Sequence, residues 1–313
     1  MEASHRAASG ATEVVLNASS GHGEAKKVAT RLEEMFRAAG REAHIVLARG
    51  GDELRGAVRK AVEAGCDTLV AGGGDGTINT AASAILGREI TLGVLPLGTL
   101  NHFAKDLGIP LDLEAATKII LDGTWCRVDV GEVNGRFFLN NSSIGVYPAI
   151  VRLRERYRTT FRGKWIAALW AALTVLRRRS FMGVRLHVEG QEMIRRTPLL
   201  LVANNEYQTS GIHAGSRESI SGGRLALYVL NAEGRPGLLR LALKTILEGA
   251  ERVKELDLFT VEDVAVETRR RRVQVALDGE VTTLESPLHY LTRPGVLRVH
   301  VPAATSACNP AAF

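Results

Sequence analysis

Between Thr12 and Gly123 short apolar runs alternate with amphipathic stretches of helical length, and that rhythm leaves few folds open. "TEVVLN" (Thr12–Asn17), "EAHIVLA" (Glu42–Ala48), "CDTLVA" (Cys66–Ala71) and "ITLGVLP" (Ile90–Pro96) read as strands. "EAKKVATRLEEMFRAAG" reads as a helix with Gly40 as its C-cap, and "DELRGAVRKAVEAG" as one with Asp52 as its N-cap. "TINTAASAILG" and "DLEAATKIILDG" continue the series. Strands joined through helices of this length make right-handed crossovers, which require a parallel sheet.

After about Trp125 the rhythm changes. Asn134-Gly135 lies between two apolar runs, a hairpin signal, and a second strand pair flanks Gly190. "GRLALYVLN", "FTVEDVAVETRRRRVQVALDGE" and "LHYLTRPGVLRVHVP" are further strand-rich stretches. Helices are expected within 147–179 and over about 236–249. The expected domains are an α/β nucleotide-binding domain over 1–125 and an antiparallel β-rich domain over 126–301. The tail, 302–313, is expected to pack back on the first.

The formal charge of +6 and the pI of about 9.4 suit an anionic partner. An aromatic content of 5% argues against a base-stacking nucleic-acid binder. Cys66, Cys126 and Cys308 are far apart and form no CxxC pair, so neither a disulfide framework nor a structural zinc site is expected, and a reducing compartment is. The N-terminal stretch lacks the long apolar core of a signal peptide. No run of about 18 apolar residues occurs, so any membrane contact is expected to be peripheral.

"VAGGGDGTIN" (Val70–Asn79) places glycines at the carboxyl end of a parallel strand, where α/β sheets bind ligands. Glycines admit phosphate oxygens to backbone N–H groups, and a helix N-terminus favours anions. No GK[ST] follows, so this is not a Walker A loop. Asp75 within it would repel a polyphosphate unless a divalent cation lay between them. The plainer reading is a tight turn over Gly72–Gly76 in which Asp75 caps the next helix.

"GGGDGTIN" resembles the nucleotide-binding signature of the diacylglycerol kinase catalytic-domain family, which includes sphingosine kinases and bacterial lipid kinases. NAD kinases and, more distantly, phosphofructokinases share its GGDGT element. "LPLGTLNHFAKDLGIP" (Leu95–Pro110) resembles the more specific lipid-kinase pattern P-x-GTxNDFAR-x-LGIP, "NASSGHG" (Asn17–Gly23) the NPxSGxG element, and "ALDGE" (Ala276–Glu280) the DGE motif. In order and spacing the resemblance covers essentially the full chain. It implies a Rossmann-like parallel α/β domain followed by an antiparallel β-sandwich, with nucleotide in the cleft between them.

The resemblance implies nucleotide contacts at Asn17, Ser19, Ser20, Gly21, Gly72, Gly73, Gly74, Asp75, Gly76, Thr77, Asn79, Thr99 and Asn101. It implies ATP and Mg2+ as cofactors, with Asp75 on the metal. Glu280 is implied as the base that receives a lipid hydroxyl proton, with Asp278 as its partner or alternative. Under strict alternation Ala276, Asp278 and Glu280 would share one strand face, whereas Gly279 would break that with a bulge or turn. Without the resemblance, Ser19 or Ser20 reads as an N-cap and "LDGE" as a polar hairpin turn. His102 stands where many relatives carry Asp, and a neutral imidazole does not replace a carboxylate beside a cation. Some bacterial relatives hold a structural magnesium near the position of Ser221-Gly222-Gly223; here the acid is missing, which counts against that site.

Val151–Ser180 holds nine basic residues and one acidic one around "WIAALWAALTVL", with Trp165 and Trp170. It reads either as an interfacial helix on an anionic membrane or as a core helix with basic ends. Arg269–Arg272 form a second basic cluster. The expected protein is an ATP-dependent lipid kinase, cytoplasmic and peripheral on the inner membrane face, with a membrane lipid as partner and no nucleic acid. A homodimer is compatible with this reading. The alternatives are an NAD kinase-like phosphotransferase acting on a soluble acceptor, and a non-catalytic module binding nucleotide and membrane. The acceptor's identity is left open among lipid alcohols.

Overall fold

The computed structural model describes residues 11–19, 24–146, 181–188, 190–207, 217, 219–231, 234, 237, 256–303 and 305. The chain divides into two compact units: Met1–Val130 with Glu218–Gly223 and Arg293–Phe313, and Gly131–Arg217 with Arg224–Thr292. Two segments that follow residue 126 in the chain therefore return to the first unit.

In the first unit, strands β1 (Thr12–Asn17), β2 (Ala43–Ala48), β3 (Thr68–Gly73) and β4 (Thr91–Pro96) form a parallel sheet in the order β2-β1-β3-β4. Every residue of β3 and β4 is buried, which accounts for their unbroken apolar runs. Helices α1 (Ala25–Ala38), α2 (Gly51–Glu63), α3 (Asp75–Ile85), α4 (His102–Asp106) and α5 (Leu113–Asp122) lie between and after the strands. On α1 Leu32 and Phe36 are buried, and on α2 Leu54, Val58 and Ala61. These spacings of three and four residues are what a helix needs to bury one stripe. Asp112 caps α5, accepting from the Ala115 amide at 2.9 Å. Gly123 ends that helix with φ +74°, a conformation in which a Cβ would be strained.

Two cap expectations shift. The N-cap of α2 is Gly50, not Asp52, because φ +87° at Gly50 lets the chain turn into the helix earlier. Asp52 falls in the first turn and pairs with Arg55. The C-cap of α1 is Ala39, and Gly40 follows it with φ +66°.

The second unit is antiparallel. β7 (Asn141–Gly145), β10 (Leu199–Asn204), β11 (Leu225–Leu230), β12 (Leu256–Val261), β14 (Arg272–Leu277) and β15 (Glu280–Glu285) form a sheet in the order β12-β11-β10-β7-β14-β15. β8 (Met182–Val188), β9 (Gln191–Thr197), β13 (Asp263–Thr268) and the first residues of β16 (Leu288–His300) form the facing layer. Ile144, Val202, Leu227 and Val275 of one layer meet Leu186, Val266, Leu288 and Tyr290 of the other in one core. This is the antiparallel β-sandwich that the resemblance implies. β5 (Trp125–Val133) and β6 (Arg136–Phe138) form the Asn134-Gly135 hairpin, with φ +46° and +75° at its two turn residues.

β16 carries one surprise. Its late residues Arg298 and Val299 pair in parallel with Thr91 and Leu92, adding a fifth strand to the first unit's sheet. The sequence placed this stretch with the β-rich half, because strand periodicity does not name a strand's neighbour. Thr305, just beyond, donates from its hydroxyl to the Leu107 carbonyl at 3.2 Å within the same unit. The helices expected within 147–179 and near 236–249 lie outside the described residues. Among the described residues no helix is long and apolar enough to cross a membrane. Cys66 is buried and carries a free thiol.

His300, at the end of β16, is 1% exposed, and its Nδ1–H donates to the Thr124 carbonyl at 3.2 Å. Burial pulls its pKa down from 6.5 to about 4. The neutral ring therefore contributes stability that is fully present above pH 6.5 and is lost as pH falls towards 4. The full effect is about 3 kcal/mol. Thermal melts of wild type and His300→Gln between pH 7.5 and 4.5 are expected to show a steeper acid loss in wild type. Parallel curves would contradict this.

Candidate active site

Three loops open at the carboxyl ends of the adjacent strands β1, β3 and β4. The chain goes from β1 to β2 on one side and to β3 on the other, so β1/β3 is a switch point of the sheet, where α/β folds bind ligands. Asn17 closes this point, donating from Nδ2 to the Thr77 hydroxyl at 3.1 Å and accepting from the Ser19 amide at 3.0 Å. Ser19 is exposed and does not cap α1, whose N-cap is Glu24. Ser20 and Gly21 lie outside the described residues.

The glycines have steric causes. A Cβ on Gly72 would lie 2.3 Å from Leu16 Cδ2, and one on Gly73 2.4 Å from Thr77 Oγ1. A Cβ on Gly98 would lie 2.4 Å from Gly74 Cα and 3.1 Å from Gly74 N. The loops after β3 and β4 thus touch backbone to backbone, with Leu97 N also donating to Gly73 O at 3.0 Å. Asn101, 5% exposed and with φ +50°, staples the second loop. Its Oδ1 accepts from Gly98 N at 3.0 Å, and its Nδ2 donates to Pro96 O at 3.2 Å and Gly98 O at 2.9 Å. This leaves Thr99 exposed in the loop. Gly98→Ala must push the Gly74 backbone away. We expect it to cost about 1–3 kcal/mol of stability and to weaken nucleotide binding, read by thermal melting and calorimetry; unchanged values in both would contradict the close approach.

Asp75 is the first residue of α3, and Gly74 occupies the N-cap. Asp75 therefore lies one residue past the N-cap position that the plainer sequence reading gave it. Its Oδ1 accepts from the Phe103 amide of α4 at 3.3 Å, which ties the two loops together a second time. By helix geometry the amides of Asp75 and Gly76 lack an intrahelical acceptor and are available to an anion. Thr77 is buried between Asn17 and the Gly74 carbonyl, which its own amide reaches at 2.9 Å. Asn79 accepts from Ser83 Oγ at 3.1 Å, one turn into the helix, and His102 is exposed at the start of α4.

Among the described residues no three His, Cys, Asp or Glu side chains gather as a metal cluster. A cation at Asp75 would therefore take its other ligands from phosphate and water, which is how Mg2+ is usually held. The partly exposed carboxylate beside backbone amides fits that donor set.

The second unit carries the other acids. Leu277 pairs with Glu280 across a two-residue turn, with φ +46° at Asp278 and +86° at Gly279. The turn ends the strict alternation, so Asp278 and Glu280 do not continue one strand face. Glu280 is exposed at the start of β15. Asp278 folds back, with Oδ2 accepting from Leu139 N at 2.7 Å and Oδ1 from Asn140 N at 2.8 Å and Asn141 N at 3.0 Å. Burial pushes its carboxyl up to about 6, against the three amides and Arg217, which all pull it down.

Sequence reasoning missed Arg217, Asn204 and Asp129. Arg217, 6% exposed, donates to Leu139 O at 2.7 Å, Asn204 O at 3.0 Å and Asn140 Oδ1 at 3.2 Å. Asn204 donates from Nδ2 to Leu139 O at 3.0 Å. Asp129, 1% exposed in the first unit, accepts from Gly223 N at 2.6 Å and Gly295 N at 2.9 Å. It braces the loop in which relatives of the family were expected to place an acid. Its one sequence signal is an acid between two core valines, Val128 and Val130.

Comparison with known proteins decides the family. Residues 12–133 match the diacylglycerol kinase catalytic domain, and residues 143–301 match the YegS C-terminal NAD kinase beta sandwich-like domain. The chain belongs to the diacylglycerol kinase family of lipid kinases. It is 35% identical over 280 residues to the Pseudomonas aeruginosa PAO1 protein named "Probable lipid kinase YegS-like", covering 86% of this chain and 88% of that protein. Over 97 residues, 30% of this chain and 32% of the relative, it is 38% identical to a Staphylococcus saprophyticus protein named "Diacylglycerol kinase". The crystal structure of a Bacillus anthracis str. Sterne diacylglycerol kinase has the same fold, with TM-score 0.69 at 19% identity over 94% of this chain and 97% of that one.

Proposed function

We propose that this lipid kinase transfers the γ-phosphoryl group of ATP to a hydroxyl of a membrane lipid. The observation that carries the reading is the backbone contact of Gly98 with Gly74, beside which the Asp75 carboxylate opens α3. Two loops brought into backbone contact by glycines, with one acid beside them, suit a metal-bound polyphosphate better than a neutral ligand. The amides of Asp75 and Gly76 would hold phosphate oxygens, and the Asp75 carboxylate would hold Mg2+, which when bound would supply positive charge beside the transferring group. Asn17, Thr77 and Asn101 keep the loops in shape rather than reaching the ligand with their side chains. Glu280 accepts the proton of the lipid hydroxyl, a poor nucleophile at neutral pH, and Asp278 fixes the turn that presents it.

The protein acts from the cytoplasmic side, where ATP is, as a peripheral visitor to an anionic membrane; its basic excess favours that approach. Incubation with labelled ATP, Mg2+ and a total lipid extract, followed by identification of the labelled product, tests the reading. Label in a lipid supports it. Efficient phosphorylation of a soluble dinucleotide without lipid favours the soluble-acceptor alternative, and binding of ATP with no turnover on any lipid favours a non-catalytic module.

A further inference from the structure

We propose that Arg217 is a positioning residue for the acid–base turn, joined to Asp278 through the intervening peptide group as a bridged ion pair. The inference rests on the reading of Asp278-Gly279-Glu280 as that turn. The peptide between Leu139 and Asn140 has its carbonyl on the Arg217 guanidinium at 2.7 Å and its N–H on the Asp278 carboxylate at 2.8 Å. A cation on the oxygen polarises the amide and strengthens its donation to the anion at the other end. The next peptide is loaded the same way. Asn140 O accepts from Asn204 N at 2.9 Å, and Asn141 N donates to the same Asp278 Oδ1 at 3.0 Å. Asn204 is in turn tied to Arg217 through its own carbonyl at 3.0 Å.

The arrangement solves two problems at once. A guanidinium buried to 6% exposure and a carboxylate enclosed by three amides are each costly alone. Facing each other across one peptide layer, each compensates the other while the turn stays in place. Asp278 N also donates to Asn141 O at 2.9 Å, so a shift of Leu139–Asn141 carries the turn, and Glu280 two residues on, with it. Among the described residues the groups that act on Asp278 are the neutral amides of Leu139, Asn140 and Asn141 and the charge of Arg217. Among the described residues Arg217 supplies the charge that favours the ionised carboxylate.

The test compares wild type, Arg217→Met and Arg217→Lys by two readouts. One is the pH dependence of kcat/KM with the lipid found by the labelling assay. The other, independent of turnover, is the carboxyl titration of Asp278 followed by 13C NMR in aspartate-labelled protein, assigned with Asp278→Asn. We expect Arg217→Met to move the Asp278 titration and the acid limb of the rate profile up by about one pH unit or more. Its kcat is expected to fall at least tenfold, with a smaller change in the KM for ATP. Arg217→Lys, which keeps the charge without the fork, is expected to restore the titration but not the full kcat. An Arg217→Met protein that melts earlier yet keeps the wild-type titration would make Arg217 a structural brace only and overturn the proposal. If wild type transfers no phosphate to lipid, the reading of the turn fails, while the titration still decides whether Arg217 and Asp278 are coupled.

Discussion

Asp75→Asn is expected to bind nucleotide weakly and to lose about 10²- to 10³-fold in kcat, the scale on which loss of one preorganised charge-stabilising group is felt. The substitution keeps the shape of the side chain and an oxygen that can still accept from Phe103 N, now 3.3 Å away. The two loops should therefore stay joined and the protein should melt within a few degrees of wild type. What is removed is the negative charge at the first position of α3. Against a bare triphosphate that change would help, because the carboxylate repels it. A fall in activity with an intact fold thus separates a metal-holding acid from a helix-terminal one. Steady-state kinetics at saturating lipid over a range of Mg2+ is the measurement, and turnover near wild type would remove Asp75 from its assigned role.

The second large effect is expected at Glu280. Glu280→Gln should lower kcat by about 10²- to 10⁴-fold, the usual contribution of a general base, with little change in ATP affinity. Glu280 is exposed at the start of β15, so the amide is tolerated there and folding should be unaffected. Asp278 behaves differently: its carboxylate accepts from three backbone amides, so Asp278→Ala leaves three donors unanswered and places alanine at φ +46°. A strong loss of thermal stability in that variant, absent from Glu280→Gln, would mark one acid as anchor and the other as base. Retained kcat in Glu280→Gln would sink the assignment.

The sequence made the parallel domain legible because its signals are local. β1 runs from Thr12 to Asn17, as the apolar run predicts, and Asp112 caps α5 at the head of "DLEAATKIILDG". Turn chemistry was equally visible at Asn134-Gly135, where only residues tolerant of positive φ fit. What was not legible is long-range. Nothing in "LHYLTRPGVLRVHVP" says that its first residues pair with β13 and its last with β4. The resemblance implied a nucleotide contact at Asn101, and no sequence signal showed that the side-chain amide bonds Pro96 and Gly98. Arg217 sits in "HAGSRESISGG", a stretch with no apolar pattern, and its burial follows from what Leu139 and Asn204 bring to it across the sheet. A buried charge has no periodicity to betray it; only the partners identify it.

Isothermal calorimetry of ATP against wild type and Asp75→Asn, each with excess Mg2+ and with chelator, bears most directly on the claim that this acid is paired with a metal-bound triphosphate. The account predicts that wild type binds at least tenfold more tightly with Mg2+ than with chelator, and that the variant loses most of that difference. Equal affinity in all four titrations would contradict it.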